Sequence, residues 1–295
     1  MSAQFKQNIR DIAFGLGEKV IPKKIRYGGP LLAMRQKLSY WSKEGFLISY
    51  PKSGRTWLRV MLGRALDRHY DLKLDNPMEL QHLWKRVPEL PAIDFSHDDH
   101  PNLKYANEIE VDKSKYKNKR ILFLVRDPRD VLVSYFFDAK FRMGVQDGEI
   151  SDYLRHGRGS IDSIIAFYNS WAQARAQMKL FEMITYEDMH RDPKAVLARS
   201  MAVLGLPKVA DDVLDDAVSF GSFDNLKKIE LNDAFGHERM RPADKANPES
   251  FKVRRGKTGG YVDYLSADEI AFVNERIETT LDPCFSMYRS PRSDH

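Results

Sequence analysis

Five consecutive apolar residues, Ile121-Leu122-Phe123-Leu124-Val125, stop at Arg126-Asp127-Pro128. A strand with one face in water alternates apolar and polar side chains, so an unbroken run means burial on both faces, as in a parallel sheet covered by helices. The helix start that follows has two independent physical reasons. Asp127 is a good N-cap acceptor, and Pro128 lacks an N–H that the first turn would leave unpaired anyway. The same change of period occurs at Phe46-Leu47-Ile48, ahead of Thr56-Trp57-Leu58, with Val60, Met61 and Leu62 at helical spacing. Residues 92–96 and 181–185 read as further strands. Helices are predicted within 160–180, from the Asp192-Pro193 cap as far as Gly205, over 213–220, and from a capping box at Ser266 and Glu269 to Ile277. Strands that alternate with helices predict an α/β chain built on one central parallel sheet flanked by helices. With 295 residues and no boundary between two cores, it reads as a single domain, 41–295, behind a basic segment, 1–40.

The turn Pro51-Lys52-Ser53-Gly54-Arg55 joins the first strand to the first helix. A short glycine-containing turn there aims several backbone N–H groups at one point, with the positive end of the helix dipole behind them, which suits a phosphate. Lys52 adds a mobile cation, Ser53 and Thr56 add hydroxyl donors, and Trp57 adds a flat aromatic face. Lys52 precedes Gly54, so the turn is not a Walker A loop. An ordinary turn with a solvated lysine is the alternative on this stretch alone. Arg126 stands where the third strand ends, and Ser134, seven residues beyond the Asp127 cap, lies near the same helix face, so both can approach one ligand. Arg254-Arg255-Gly256 puts two guanidiniums beside flexible backbone, equipment for bidentate phosphate binding. His97 and His100, in His97-Asp98-Asp99-His100, end the second strand. Two stretches, 141–159 with its four glycines and the polar 232–249, read as a mobile connection and a lid.

These motifs, in this order, resemble the PAPS-dependent sulfotransferases, PAPS being 3′-phosphoadenosine 5′-phosphosulfate. YPKSGRTWL resembles their 5′-phosphosulfate loop, and VRDPRDVLVSYF resembles the segment that holds the 3′-phosphate, with Arg126 and Ser134 in the matching places. Tyr186, in a YED, matches a tyrosine of the nucleotide site. Ser222-Phe223 resembles the family's SFxxMK, and Arg254, Arg255 and Gly256 match the start of RKGxxGDWK. His97, in SHDD, resembles the catalytic histidine of THLP. The resemblance covers about residues 46–262 through scattered motifs. There are departures. Arg55 stands where many members carry Thr, Gly260, Tyr261 and Val262 replace Asp, Trp and Lys, and the KxxxTVxxxE dimer signature is missing, so oligomeric state is not carried over.

The resemblance implies a P-loop-NTPase-like three-layer fold, PAPS as donor and PAP as product. Lys52 and the backbone of 53–56 would offset charge developing on the leaving phosphate. Arg126, Ser134, Arg254 and Arg255 would hold the 3′-phosphate, and Trp57 and Phe223 would sandwich the adenine. Sulfuryl carries less negative charge than phosphoryl, so no metal is required in principle. His97 is the best general base and His100 its rival. HDDH as a metal site, or His97 as a structural turn residue, are the alternatives. Two other readings of the chain are a Mg²⁺-dependent phosphoryl transferase and, ranked last, a nucleic-acid-binding module; no nucleic-acid partner is expected. Loops 80–91 and 136–148, with Trp84, Phe136, Phe137 and Phe141, suit a small-molecule, carbohydrate or lipid acceptor without choosing among them.

A hydrophobic fraction of 42% with 30% charged residues is ordinary for a globular chain, and a single cysteine excludes intramolecular disulfides. A reducing, cytoplasmic setting fits. Residues 1–40 hold eight Lys/Arg against Asp11 and Glu18, a surplus of six, so the rest of the +5 chain is nearly neutral. Phe5, Ile9, Ile12, Leu16 and Val20 recur at helical spacing there. A basic amphipathic helix over 1–25 is suited to peripheral contact with an anionic membrane; the alternative is a terminal helix packed on the domain.

Overall fold

The computed structural model describes residues 40–236 and 240–289. The amphipathic helix read in 1–25 lies outside them. In chain order the elements are β1 (Gly45–Ser49), α1 (Arg55–Tyr70), β2 (Ile93–Ser96), β3 (Arg120–Val125), α2 (Pro128–Phe137), α3 (Ile150–His156), α4 (Ile161–Ala174), β4 (Leu180–Thr185), α5 (Tyr186–Arg191), α6 (Pro193–Leu204), α7 (Asp211–Phe220), α8 (Phe223–Leu231) and α9 (Ala267–Thr280). The four strands make one parallel sheet in the order β2-β1-β3-β4.

Both faces are covered, which is why β1 and β3 read as unbroken apolar runs. Phe46, Ile48, Ile121, Phe123 and Val125 pack into a cluster with Val131, Leu132, Ile164, Tyr168, Trp171 and Val273, from α2, α4 and α9. Leu47, Leu122, Leu124 and Ile184 point the other way, against Leu58, Leu62, Leu197, Met201 and Leu214 of α1, α6 and α7. The result is the three-layer α/β fold. The caps are as expected: the Asp127 carboxylate accepts from the Arg129 N–H behind Pro128, Asp192 accepts from the Ala195 N–H, Gly205 ends α6 at φ 74°, and Ser266 and Glu269 close a capping box.

Two stretches differ from the sequence reading. The connection 141–159 contains α3, and α2 runs into one wide π turn, Asp138–Arg142, before it. The basic run KSKYKNKR, 113–120, whose composition reads as a surface segment, supplies Lys113, whose side chain is 1% exposed and lies 2.7 Å from the Asp98 carboxylate. Lys115 reaches the other Asp98 oxygen at 2.7 Å, and the Tyr116 hydroxyl donates to that same oxygen.

Candidate active site

In a parallel sheet every strand ends on the same edge, so the residues that follow the strands meet there. β1 leads to Lys52, β2 to His97, β3 to Arg126 and β4 to Tyr186. All four line one cavity of about 1420 Å³, as do Gly54, Arg55, Thr56, Trp57, Ser134, Phe223, Arg254, Arg255 and Gly256. Two expected residues do not line it. The Ser53 side chain is fully buried, and Ser222, at the N-cap of α8, lies in a surface depression with Asp216 and Lys228.

The turn after β1 has the shape its glycine implied. Lys52 has φ 73° and Gly54 φ 93°, and a Cβ at Gly54 would sit 2.5 Å from the Tyr186 ring, so glycine is required both by the backbone and by the close approach. α1 begins with no side-chain cap and no acid in its first turn, leaving its positive end open to a ligand anion. Trp57 meets Tyr186 edge-on, with ring centroids 5.8 Å apart.

Arg126 ties three segments together. The Tyr168 hydroxyl accepts from its N–H and donates to its carbonyl, fixing the end of β3. Its guanidinium donates to the Lys52 and Lys257 carbonyls, pairs with Asp130 at 3.4 Å and stacks 4.2 Å from the Tyr186 ring centroid, while its buried Nε has no hydrogen-bond partner among the described residues. Asp130 in turn accepts from the N–H groups of Gly259 and Tyr261, holding the arginine loop against α2. Arg254 pairs with Glu249 at 2.7 Å and Arg255 with Asp263 at 2.9 Å. Gly256, at φ 57°, packs so closely on Phe223 that a Cβ would lie 2.4 Å from its ring.

His97 is oriented on both sides. Its Nδ1 lies 2.7 Å from the Ser49 carbonyl, which can only accept, so Nδ1 carries the proton and Nε2 the lone pair. Nε2 faces the Arg55 guanidinium at 2.6 Å. Burial, then the Arg55 charge, hold this imidazole well below the usual 6.5, and it is neutral. Arg55 is thus bonded to the histidine. His100 also lines the cavity but is exposed.

Asp138 and Lys252 are cavity residues that the motifs missed. Asp138 pairs with Lys52 at 2.8 Å and lies 3.5 Å from Arg142. Burial pushes its carboxyl up, but the attraction of Lys52 wins and holds it below the usual range. One signal was available, because Asp138 falls four residues after Ser134 and so on the same helical face. Nothing in the sequence pointed to Lys252.

Behind His97, Asp98, Asp99 and His100 all have positive φ, at 48°, 71° and 52°. Asp98 anchors this strained run through Lys113 and Lys115. Burial opposes both partners of the inner pair. Attraction wins for Asp98, whose carboxyl is lowered, but not for Lys113, whose ammonium is lowered too. With this carboxylate committed to two lysines, no group of three His, Cys, Asp or Glu among the described residues is placed to hold a metal ion. Asp98→Asn is expected to cost about 3 kcal/mol in urea unfolding, the usual loss when one partner leaves a buried pair. Because the native carboxyl is depressed, this stabilisation is complete above the unfolded carboxylate value and is lost as pH falls through the native one. Equal stability of variant and wild type at pH 7 would remove Asp98 as the anchor.

Fold and site define the class: a P-loop-like three-layer α/β protein with a basic, aromatic-walled cleft at the carboxyl edge of its sheet. The chain belongs to the sulfotransferase domain family, whose model matches residues 43–285. It is 27% identical over 257 residues to cytosolic sulfotransferase 17 of Arabidopsis thaliana, covering 79% of this chain and 72% of that one. Flavonol 3-sulfotransferase of Flaveria bidentis is 22% identical, with 80% and 81% covered. Among solved structures, a retinol dehydratase in complex with androsterone and the inactive cofactor PAP superposes with a TM-score of 0.59 at 16% identity, covering 85% of this chain and 82% of that one.

Proposed function

We propose that the protein transfers the sulfuryl group of PAPS to a hydroxyl or amine of a small-molecule acceptor, with His97 as general base and Lys52 on the leaving phosphate. The observation that carries this reading is the convergence of Lys52, His97 and Arg126 in one cavity of a sulfotransferase-family chain. The cavity residues fit the nucleotide. Gly54 and Gly256 bring backbone close to the aromatic walls, Arg126 keeps a buried donor with no partner among the described residues, and about 1420 Å³ exceeds the usual span of a single ligand site, leaving room for an acceptor.

In the transfer, a bond forms between the acceptor oxygen or nitrogen and sulfur while the bond from sulfur to the bridging phosphate oxygen breaks. The electron pair leaves on the 5′-phosphate, where Lys52 and the first-turn N–H groups of α1 offset it. The acceptor proton goes to His97 Nε2, so the Arg55 guanidinium must first leave that atom. The wall of Trp57, Tyr186 and Phe223 suits an adenine, and Arg126, Ser134, Arg254 and Arg255 suit the 3′-phosphate, whose binding energy serves positioning. Its relatives, a cytosolic sulfotransferase and a flavonol sulfotransferase among them, favour a small hydroxylated acceptor and a cytoplasmic setting. Among the described residues no helix is long and apolar enough to cross a membrane. Contact of 1–25 with a membrane, and carbohydrate or lipid acceptors, remain part of the proposal.

The test is incubation with ³⁵S-labelled PAPS and a panel of phenols, sterols, sugars and lipids, beside ATP and Mg²⁺ as a rival donor. Labelled sulfated product with equimolar PAP is expected. Phosphorylated product from ATP, or failure of PAP to bind, would overturn the reading.

A further inference from the structure

Lys252 enters the Lys52 end of the cavity without belonging to any motif. Its backbone is fixed: Glu230 of α8, fully buried, accepts from the N–H groups of Lys252 at 2.6 Å and Val253 at 2.8 Å. The side chain lines the cavity, and its Nζ has no hydrogen-bond or ion-pair partner among the described residues. The charged groups that act on it come from three segments: Lys52 on the turn after β1, Asp138 and Arg142 on the turn beyond α2, and Arg55 at the start of α1. His97, neutral, feels it as well. Asp138 is already shared by Lys52 and Arg142. Lys252 therefore stands beside Lys52 at a carboxylate that is already committed.

An ammonium without a partner beside a second lysine is costly in a partly dry site, so this end of the cavity suits an anion. Burial and the neighbouring cations pull the Lys252 ammonium down to about 7. A bound anion reverses this, because an opposite charge nearby favours the ammonium form.

We propose that Lys252 is a further catalytic residue of the transfer centre: its ammonium grips the phosphosulfate end of the donor together with Lys52, and the group takes up a proton from solvent as the donor enters. This rests on the donor reading above.

The experiment is calorimetric titration of the full-length protein with PAP and with adenosine 3′-monophosphate, which lacks the 5′-phosphate. Each is run at pH 8 and pH 6 in two buffers of different ionisation enthalpy. At pH 8 phosphate monoesters are already dianionic, so proton uptake reports the protein. Wild type is expected to take up most of one proton with PAP at pH 8 and little at pH 6, and little with adenosine 3′-monophosphate at either pH. Lys252→Met should abolish the uptake and cut the affinity ratio of PAP to adenosine 3′-monophosphate by about tenfold, the scale of one charge-assisted contact, leaving the truncated ligand within about twofold. Lys252→Arg should keep the ratio but not the uptake, because guanidinium stays charged. PAP binding without proton uptake by wild type, or an unchanged ratio in Lys252→Met, overturns the assignment while leaving the donor reading standing. Failure of wild type to bind either nucleotide overturns both. The wild-type uptake needs no variant, and melting temperatures show whether Lys252→Met is folded.

Discussion

His97→Ala lowers kcat by about 10³-fold, within the range for loss of a general base, and leaves PAP affinity within about twofold. The expectation follows from where the imidazole is held. Nδ1–H is spent on the Ser49 carbonyl, so the lone pair on Nε2 points into the cavity, where the Arg55 guanidinium meets it. A neutral imidazole is ready to accept a proton, and burial keeps it neutral. The sign of the pH effect follows. The base form is lost only when pH falls through a value well below 6.5, so the His97 limb of the kcat profile is flat through neutrality and drops on the acid side. A histidine with its ordinary value would begin to lose rate near pH 6.5. His97→Gln, which keeps a polar group on the strand but no base of useful strength, should be nearly as slow as alanine. Steady-state turnover of labelled PAPS with the best acceptor of the panel decides this, and a variant that keeps full turnover excludes His97 as the base.

Lys52→Ala is expected to lower kcat by about 10²- to 10³-fold, the scale seen when one preorganised donor to a developing oxyanion is removed. The lysine lines the cavity, sits at the positive end of α1, and is held by Asp138 at 2.8 Å. A fixed cation needs no reorganisation at the moment of transfer, so its loss should appear in kcat more than in KM. The variant should fold normally, because Arg142 still stands near the Asp138 carboxylate. A rise in KM with kcat unchanged would mean that Lys52 binds the ground state only, and would refute its role on the leaving group.

Much of this site was readable before any contact was known. Lys52, His97, Arg126 and Tyr186 each follow a strand within a few residues, and a parallel sheet brings all such positions to one edge. Reading the strand ends therefore amounted to reading the site. For Tyr186 the sequence pattern alone suggested only a strand terminus; the structure makes it the first residue of α5, its ring closing on Gly54. Ser222 fitted a motif, yet its place at the head of α8 lies outside the cavity lining, because a residue's register on a short helix depends on how that helix docks. The basic run around Lys113 looked like surface for want of any sign that Asp98 would meet it.

By itself the sequence determined the α/β class, the parallel sheet, the helix caps and the glycine turn, together with a family resemblance that the match over 43–285 bears out. These depend on periods of two and 3.6 residues and on the chemistry of single positions, which are local. Only the tertiary structure decided that Arg55 bonds to His97 across 42 residues, that Lys52 pairs with Asp138 across 86, and that Lys252 joins them. Charged side chains choose partners by distance and desolvation, and both exist only once the strands have brought distant segments to the same edge.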